Sequence, residues 1–337
     1  HLPMKQIAVL GCGTVGSGVV EVFYKNRDSI ERKAGCPLDI KWIYLRRPHP
    51  ELPWQDKLCF DFDQIVSDPQ VQIVVEVMGG LDPAYRFVKS CLQCGKSVVT
   101  ANKELIAQKG AELLQLAHEN GVKLLFEASV GGGIPIIRPL HQCLGANEID
   151  NIEGILNGTT NFILTKMRRE HSSFSEALEQ AQALGYAEAD PSADIDGLDI
   201  QRKLILSANV AFGVSLREAD VPVSGIRNVR KADIARFQAH GCTCKLIATA
   251  EQRGGSIRAY VEPTLLGSDA LEAAVPANFN LISMDGNRMG VQSFFGQGAG
   301  RYPTAYNVVQ DLVDITRGVH AFYTDSFVPA VPDNAGV

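Results

Sequence analysis

The stretch KQIAVLGCGTVGSGVVEVFYKN, residues 5–26, reads as a short apolar strand, a glycine turn and a helix with an apolar face. Its strand portion is apolar almost without interruption, which is the pattern of a strand buried on both faces. The same alternation repeats outward from it. LDIKWIYLRR (38–47) is a second strand, and VQIVVEVMGG (71–80) is a third buried strand that ends in glycines. AYRFVKSCLQCG (84–95) is a helix with a glycine stop, followed by the strand KSVVTAN (96–102). ELIAQKGAELLQLAHENG (104–121) is another helix and VKLLFEASV (122–130) another strand. Near-continuous apolar strands alternating with helices predict an α/β fold, a doubly wound parallel sheet of the Rossmann type over residues 1–130.

Beyond residue 130 the texture changes. NEIDNIEGILNGTTNFIL (147–164) is strand-like up to an Asn/Gly/Thr interruption. GYAEADPSADIDGLDIQRKLIL (185–206) is an acidic stretch that opens a long helix. CKLIATAEQRGGSIRAYVEPTLL (244–266) and NRMGVQSFFGQGAG (287–300) alternate like antiparallel strands with turns. Residues 131–302 therefore read as a second, α+β domain. PTAYNVVQDLVDITRGV (303–319) is one more amphipathic helix, spanning about 303–320 and completing the first domain, with Pro303 near its start.

Totals bound the function. The 337 residues suffice for two domains with separate cores, and 45% hydrophobic with 21% charged is an ordinary globular composition. The net charge of −6 comes without any basic patch, so nucleic acid is not the expected ligand. No apolar run reaches the length of a membrane span. HLPMKQIAVL lacks a charged n-region and a small-residue cleavage site, so the cytoplasm is the expected compartment, with Met4 as the native start. Of the eight cysteines, Cys91/Cys94 form a C-x-x-C and Cys242/Cys244 a C-x-C, neither with a second pair at zinc-binding spacing. They read as reduced thiols; a redox switch at Cys91/Cys94 is the alternative.

GCGTVG (11–16) follows a strand and opens a helix, the context in which G-x-G-x-x-G binds a dinucleotide. Gly11 permits the tight turn, Gly13 lets a pyrophosphate approach the backbone, and Gly16 lets helix and strand pack closely. Free N–H groups and the helix dipole then favour phosphate at Thr14, Val15 and Gly16. A plain glycine turn in a parallel sheet is the bland alternative. At the end of the second strand, where an acid would bind the ribose hydroxyls of NAD, this chain has Arg46 and Arg47. Guanidinium groups suit a 2′-phosphate, so NADP(H) is favoured and NAD(H) remains possible.

The acidic stretch carries Glu188, Asp190, Asp194, Asp196 and Asp199 just ahead of Arg202 and Lys203. Asp199 and Lys203 are four apart and share a helix face. The helix then turns apolar, and a lysine on its inward face needs partners because a lone buried charge is unfavourable. Such a lysine can donate a proton to a carbonyl oxygen, and the carboxylates can receive the ammonium of an amino-acid substrate. The alternative is an acidic helix start favoured by the dipole, with a routine surface pair. Lys103 just after a strand end, the glycine loop FEASVGGGIPIIRPL (126–140), the polar loop of Asn157, Thr159, Thr160 and Asn161, and GQGAGRYPTA (296–305) suggest the walls of one cleft.

Together GCGTVG, TANKELIA, EASVGGGIP, GILNGTTNFIL, GYAEADPSADIDGLDIQRK and GQGAGRYPTA resemble homoserine dehydrogenase, in family order over nearly the whole chain. The resemblance implies NAD(P)-dependent interconversion of L-homoserine and L-aspartate 4-semialdehyde by hydride transfer, on the way to threonine, methionine and isoleucine. It places the proton-donating lysine on Lys203 and a second active-site lysine, near the nicotinamide, on Lys103. Substrate-binding acids fall on Glu188 and Asp199, with Asp194 supporting. Dinucleotide contacts fall on the Gly11–Gly16 turn and on Gly300. A monovalent cation, Na+ or K+, is implied at Glu127 and the carbonyls of Val130, Gly132 and Ile134, which are hard oxygen ligands. The antiparallel strands of the second domain are expected to leave one open sheet face with no other domain left to cover it, which predicts a homodimer through that domain, and the resemblance implies the same. Two departures stand out: Arg47 occupies a position where many members carry an acid, and only about twenty residues follow the last helix. The second leads to the expectation that the threonine-binding regulatory module of many members is lacking.

The sequence admits two rival readings. An aldehyde-acylating dehydrogenase needs a cysteine nucleophile with a histidine base. Cys143 follows His141 closely, but RPLHQCLG (138–145) reads as a helix with no activating loop. A non-catalytic dinucleotide sensor would keep GCGTVG but has no use for Lys103, Lys203 and the carboxylates together.

Overall fold

The computed structural model describes residues 2–144, 146–318 and 327–336, without the side chains of residues 143 and 144. The chain divides into two compact units, His1–Pro135 with Gly300–Phe327, and Ile136–Ala299 with Val328–Val337.

The first unit holds six strands: β1 (Lys5–Leu10), β2 (Leu38–Tyr44), β3 (Leu58–Cys59), β4 (Val71–Glu76), β5 (Ser97–Thr100) and β6 (Leu124–Leu125). All pairings are parallel, in the order β3-β2-β1-β4-β5-β6. The order reverses between β1 and β4, and ligands of such sheets bind beyond the carboxyl ends of the strands at that point. Its helices are α1 (Thr14–Lys25), α2 (Arg27–Ala34), α3 (Phe62–Val66), α4 (Ala84–Gln93), α5 (Lys103–Glu119) and, late in the chain, α12 (Arg301–Arg317). Ile7 and Val9 of β1, Ile40 and Ile43 of β2, and Val75 of β4 share a core with Val19, Val20 and Phe23 of α1 and with Ala305, Val308 and Leu312 of α12. The last helix starts two residues before the sequence expectation, with Gly300 as its N-cap. Pro303 is then the third helical residue, where no intrahelical partner is needed for an N–H. Gly318, left-handed at φ 73°, stops the helix after Arg317.

The second unit contains a five-stranded antiparallel sheet in the order β10-β9-β7-β11-β12: β7 (Ile149–Ile155), β9 (Thr243–Arg253), β10 (Ser256–Leu266), β11 (Phe279–Gly286) and β12 (Gly290–Gln297). β8 (Val214–Ser215) pairs in parallel with β13 (Val328–Pro329). The helices are α6 (Ile137–Leu144), α7 (Gly158–Glu170), α8 (Phe174–Ala183), α9 (Ser192–Ile195), α10 (Leu198–Phe212) and α11 (Lys231–Ala239). The expectation of one open sheet face needs correcting: the first eight residues of β9 are all buried, so both faces are covered there within one chain. What stays exposed is the edge strand β12, with Val291 and Phe295. No helix among the described residues is long and apolar enough to cross a membrane.

Candidate active site

The glycine turn of the first unit has the geometry a dinucleotide needs. Gly11 sits at φ +98°, and a Cβ on Gly16 would come within 2.2 Å of the Gly11 carbonyl, so neither tolerates a side chain. A Cβ on Gly13 would meet nothing within 4 Å. That open approach, with no side chain capping α1, leaves the first-turn N–H groups of Thr14, Val15 and Gly16 for a phosphate. The start of α12 lies alongside: a Cβ on Gly18 would come 2.9 Å from Arg301 Cγ. Gly300, at φ +121°, is therefore beside the phosphate turn, and Arg301 is held by Glu21 at 2.7 Å. Cys12, Gly13, Ser17, Trp54 and Arg301 line a cleft at this place. Arg46 and Arg47 follow β2 after the buried Leu45 and are exposed, and among the described residues neither pairs with a carboxylate.

Lys103 is the first residue of α5 and is half-buried. Asn102 caps that helix by accepting the Leu105 N–H at 3.1 Å.

In the second unit four bonds draw residues 156–160 against 186–203. The Lys203 ammonium donates to the Leu156 carbonyl at 2.8 Å, and Thr159 Oγ1 donates to the Tyr186 carbonyl at 2.6 Å. Asn157 Nδ2 donates one proton to Asp194 Oδ1 at 2.8 Å and the other to Asp199 Oδ2 at 3.0 Å. Its Oδ1 meanwhile caps α7 at the Thr160 N–H, 2.8 Å away. Asp199 and Lys203 form an ion pair at 2.9 Å, and both are buried. Gly197, at φ +88°, starts α10 so tightly against Val223 that a Cβ would come within 2.5 Å of it. Asp199 falls in the first turn, where the helix dipole favours an acid.

The five carboxylates of the acidic stretch thus divide. Asp194 and Asp199 turn inward. Asp190 bonds Ser192 at the surface, and Asp196 pairs with Arg227 through two 2.9 Å bonds. Glu188 is exposed, and among the described residues no ion pair or hydrogen bond holds its carboxylate. Burial pushes the Asp194 carboxyl above its ordinary value, with the Asp199 charge adding to it. This arrangement can hold an amine in a buried place, aim it, and offer carboxylates to a second cation.

The implied cation ligands lie on one loop of the first unit. Glu127, Val130 and Ile134 are all buried, and the Glu127 N–H donates to the buried Asp311 carboxylate at 3.1 Å. The Gly132 carbonyl accepts from Asn307 Nδ2, which leaves its second lone pair. Such oxygens suit a hard monovalent ion. Among the described residues no group of three or more His, Cys, Asp or Glu could hold a metal.

The Cys91 thiol is buried and pushed up to about 12, far from thiolate reactivity. His141 is also buried, which lowers its ring to about 4; the Cys143 side chain lies outside the described residues. Two polar anchors were not legible as such. Asn157 read only as part of a polar loop, and the bridge it makes depends on two residues 37 and 42 positions away. Glu76, fully buried at the end of β4, passed as strand; the signal was a lone charge closing an apolar run.

Residues 11–127 match a family model described as the NAD binding domain of homoserine dehydrogenase, and residues 135–313 one described as homoserine dehydrogenase. The homoserine dehydrogenase of Bacillus subtilis is 42% identical over 328 residues, covering 96% of this chain and 76% of that protein. That of Synechocystis is 43% identical, over 92% of this chain and 73% of that one. The crystal structure of a homoserine dehydrogenase from Thiobacillus denitrificans superposes with a TM-score of 0.93 at 37% identity, covering 98% of this chain and 79% of that one. A hyperthermophilic archaeal homoserine dehydrogenase solved in complex with NADPH gives a TM-score of 0.79 at 30% identity, over 93% of this chain and 98% of that one.

Proposed function

The chain belongs to the homoserine dehydrogenase family of NAD(P)-dependent oxidoreductases, and from that premise we propose how its own residues carry the reaction. The substrate pair is L-homoserine and L-aspartate 4-semialdehyde, in the formation of threonine, methionine and isoleucine. The observation that carries the assignment is the buried Lys203–Asp199 pair tied by Asn157 to Asp194.

The nicotinamide, when bound, supplies hydride chemistry. As the aldehyde is reduced, negative charge grows on its oxygen, and Lys203 Nζ delivers the proton there; in the reverse direction the same group takes the hydroxyl proton. Asp199 pairs with the Lys203 side chain and the Leu156 carbonyl aims it. Asp194, Asp199 and the exposed Glu188 receive the substrate's ammonium group. That cation would also offset the Asp199 charge, which adds to the burial that raises Asp194. Lys103 serves the nicotinamide end from the carboxyl side of the parallel sheet. Gly11, Gly13, Thr14, Val15, Gly16 and Gly300 hold the pyrophosphate. Arg46 and Arg47 favour NADP(H) over NAD(H), supported by the lack of a carboxylate partner for either among the described residues.

A monovalent cation at Glu127, Val130, Gly132 and Ile134 belongs to the same reading. So does a homodimer, supported by the exposed apolar edge of β12. The decisive experiment follows reduced-nicotinamide absorbance with homoserine and each cofactor. No homoserine-dependent signal with either would overturn the reading. Light scattering returning a single 36.5 kDa subunit at micromolar concentration would remove the dimer.

A further inference from the structure

Glu76 is fully buried at the carboxyl end of β4, where the strand order reverses. In register it pairs with Leu10 on one side, the residue before the phosphate turn, and with Thr100 on the other. A carboxylate is unfavourable there unless its oxygens are satisfied. Oε2 accepts the Met78 N–H at 2.8 Å and the Gly79 N–H at 3.2 Å. Oε1 accepts from Thr100 Oγ1 and from Asn102 Nδ2, both at 3.0 Å. Met78, Gly79 and the committed Asn102 amide can only donate, and the Thr100 hydroxyl donates as well, so an ionised carboxylate meets all four and an amide does not. Burial still pushes the carboxyl upward, against the pull of those four bonds.

The four bonds end on cofactor-side elements. Met78 abuts the phosphate turn: a Cβ on Gly11 would come 3.0 Å from Met78 Cγ. Asn102 spends its other Nδ2 proton on the Gly80 carbonyl at 2.6 Å and its Oδ1 on the cap of α5. The next residue is Lys103. Both amide orientations are therefore committed, and Asn102 cannot flip without giving up the cap.

We propose that Glu76 is a positioning residue for the reaction, an ionised carboxylate that sets Lys103 through Asn102. The proposal rests on the reading of Lys103 as an active-site lysine. Glu76→Gln keeps shape and size but presents an NH2 to donors. Met78 and Gly79 offer only N–H groups, so the amide must point its NH2 at Thr100 and Asn102. Asn102 then loses its acceptor and with it the aim of the first turn of α5.

A double-mutant cycle tests this in the full chain. Glu76→Gln should lower kcat about 10-fold or more, since small misplacements of reacting groups are costly, while KM for homoserine moves little. On a Lys103→Ala background the same change should lower kcat less than about 2-fold, because residues acting as one unit do not add. Penalties that multiply would overturn the proposal, as would a Glu76→Gln enzyme with full kcat. A Lys103→Ala enzyme with normal turnover would instead remove the Lys103 reading on which it rests, a separately visible result. If Glu76→Gln fails to fold, judged by its melting curve, Asn102→Ser takes its place. Serine retains a helix cap but drops the bond to Glu76, and the same non-additivity with Lys103→Ala is required.

Discussion

Lys203 Nζ stands 2.9 Å from Asp199 Oδ2, one turn away on α10, and both side chains are only about a tenth exposed. At the surface such a spacing would contribute a few tenths of a kcal/mol. Buried, it is a different object: removing one partner leaves an uncompensated charge, which costs about 3–5 kcal/mol. The pair is supported on both sides, since Asn157 donates to Asp199 and the Leu156 carbonyl accepts from Lys203.

Lys203→Met removes the proposed proton donor while filling a similar volume. Cofactor affinity should stay near normal, and kcat should fall at least about 100-fold, the low end for general acid catalysis. Turnover close to wild type would end the assignment.

Asn157→Asp keeps the cap on α7 but places a third carboxylate against Asp194 and Asp199. Like charges disfavour the ionised forms, so the cluster's carboxyl groups should titrate higher than they do now. Asp194 is already raised, first by burial and then by Asp199. If the deprotonated cluster is what binds substrate, the acid limb of the kcat/KM profile for homoserine moves to higher pH, by about one unit for 1.4 kcal/mol of added repulsion. An unmoved limb would show that these carboxylates do not bind substrate.

Much of this was legible in the sequence because it is local. The i,i+4 spacing of Asp199 and Lys203 and the glycine turn before α1 are short-range patterns with one physical solution each. What stayed hidden is long-range. That Asp194 turns inward while Asp190 and Asp196 face water depends on Asn157 and Arg227, each more than 30 residues away. The covered faces of β9 were missed for a similar reason: no pattern within one strand says how many helices will pack on it.

Lys245 should leave a mark on stability. It is buried on β9, bonded to Asn161 Oδ1 at 2.8 Å and the Val275 carbonyl at 2.7 Å, with no carboxylate partner among the described residues. Burial, and then Arg169 and Arg168, lower it from 10.5 to about 8. The sign follows from proton counting. Between about pH 8 and 10.5 the unfolded chain holds this proton and the folded one has lost it, so stability rises with pH through that window. The full effect is at most about 3 kcal/mol. Denaturation midpoints of Lys245→Met against the parent should therefore diverge in the parent's favour on going from pH 8 to 10.5. Parallel curves would mean the lysine titrates normally.

The proposed cofactor preference turns on the end of β2. Arg46 and Arg47 are exposed there without a carboxylate partner among the described residues. A hydrogen bond to a charged group contributes about 1.5–3 kcal/mol. That corresponds to about 10- to 150-fold in affinity. NADP should accordingly exceed NAD in kcat/KM by a factor in that range. Changing Arg46 to Asp and Arg47 to Ser together should shrink or reverse the preference and leave KM for homoserine unchanged, because the substitutions touch only the adenosine end. An alternative outcome has the opposite sign. If the guanidinium groups hold the 2′-phosphate in an unproductive pose, NADP binds tightly and turns over slowly, and NAD becomes the working cofactor. NADP would then inhibit the NAD reaction competitively, and the double substitution would relieve that inhibition without raising the NAD rate. Steady-state rates with each cofactor, with NADP titrated into the NAD assay, separate the two. Equal use of both by parent and variant would show that neither arginine reaches the ribose.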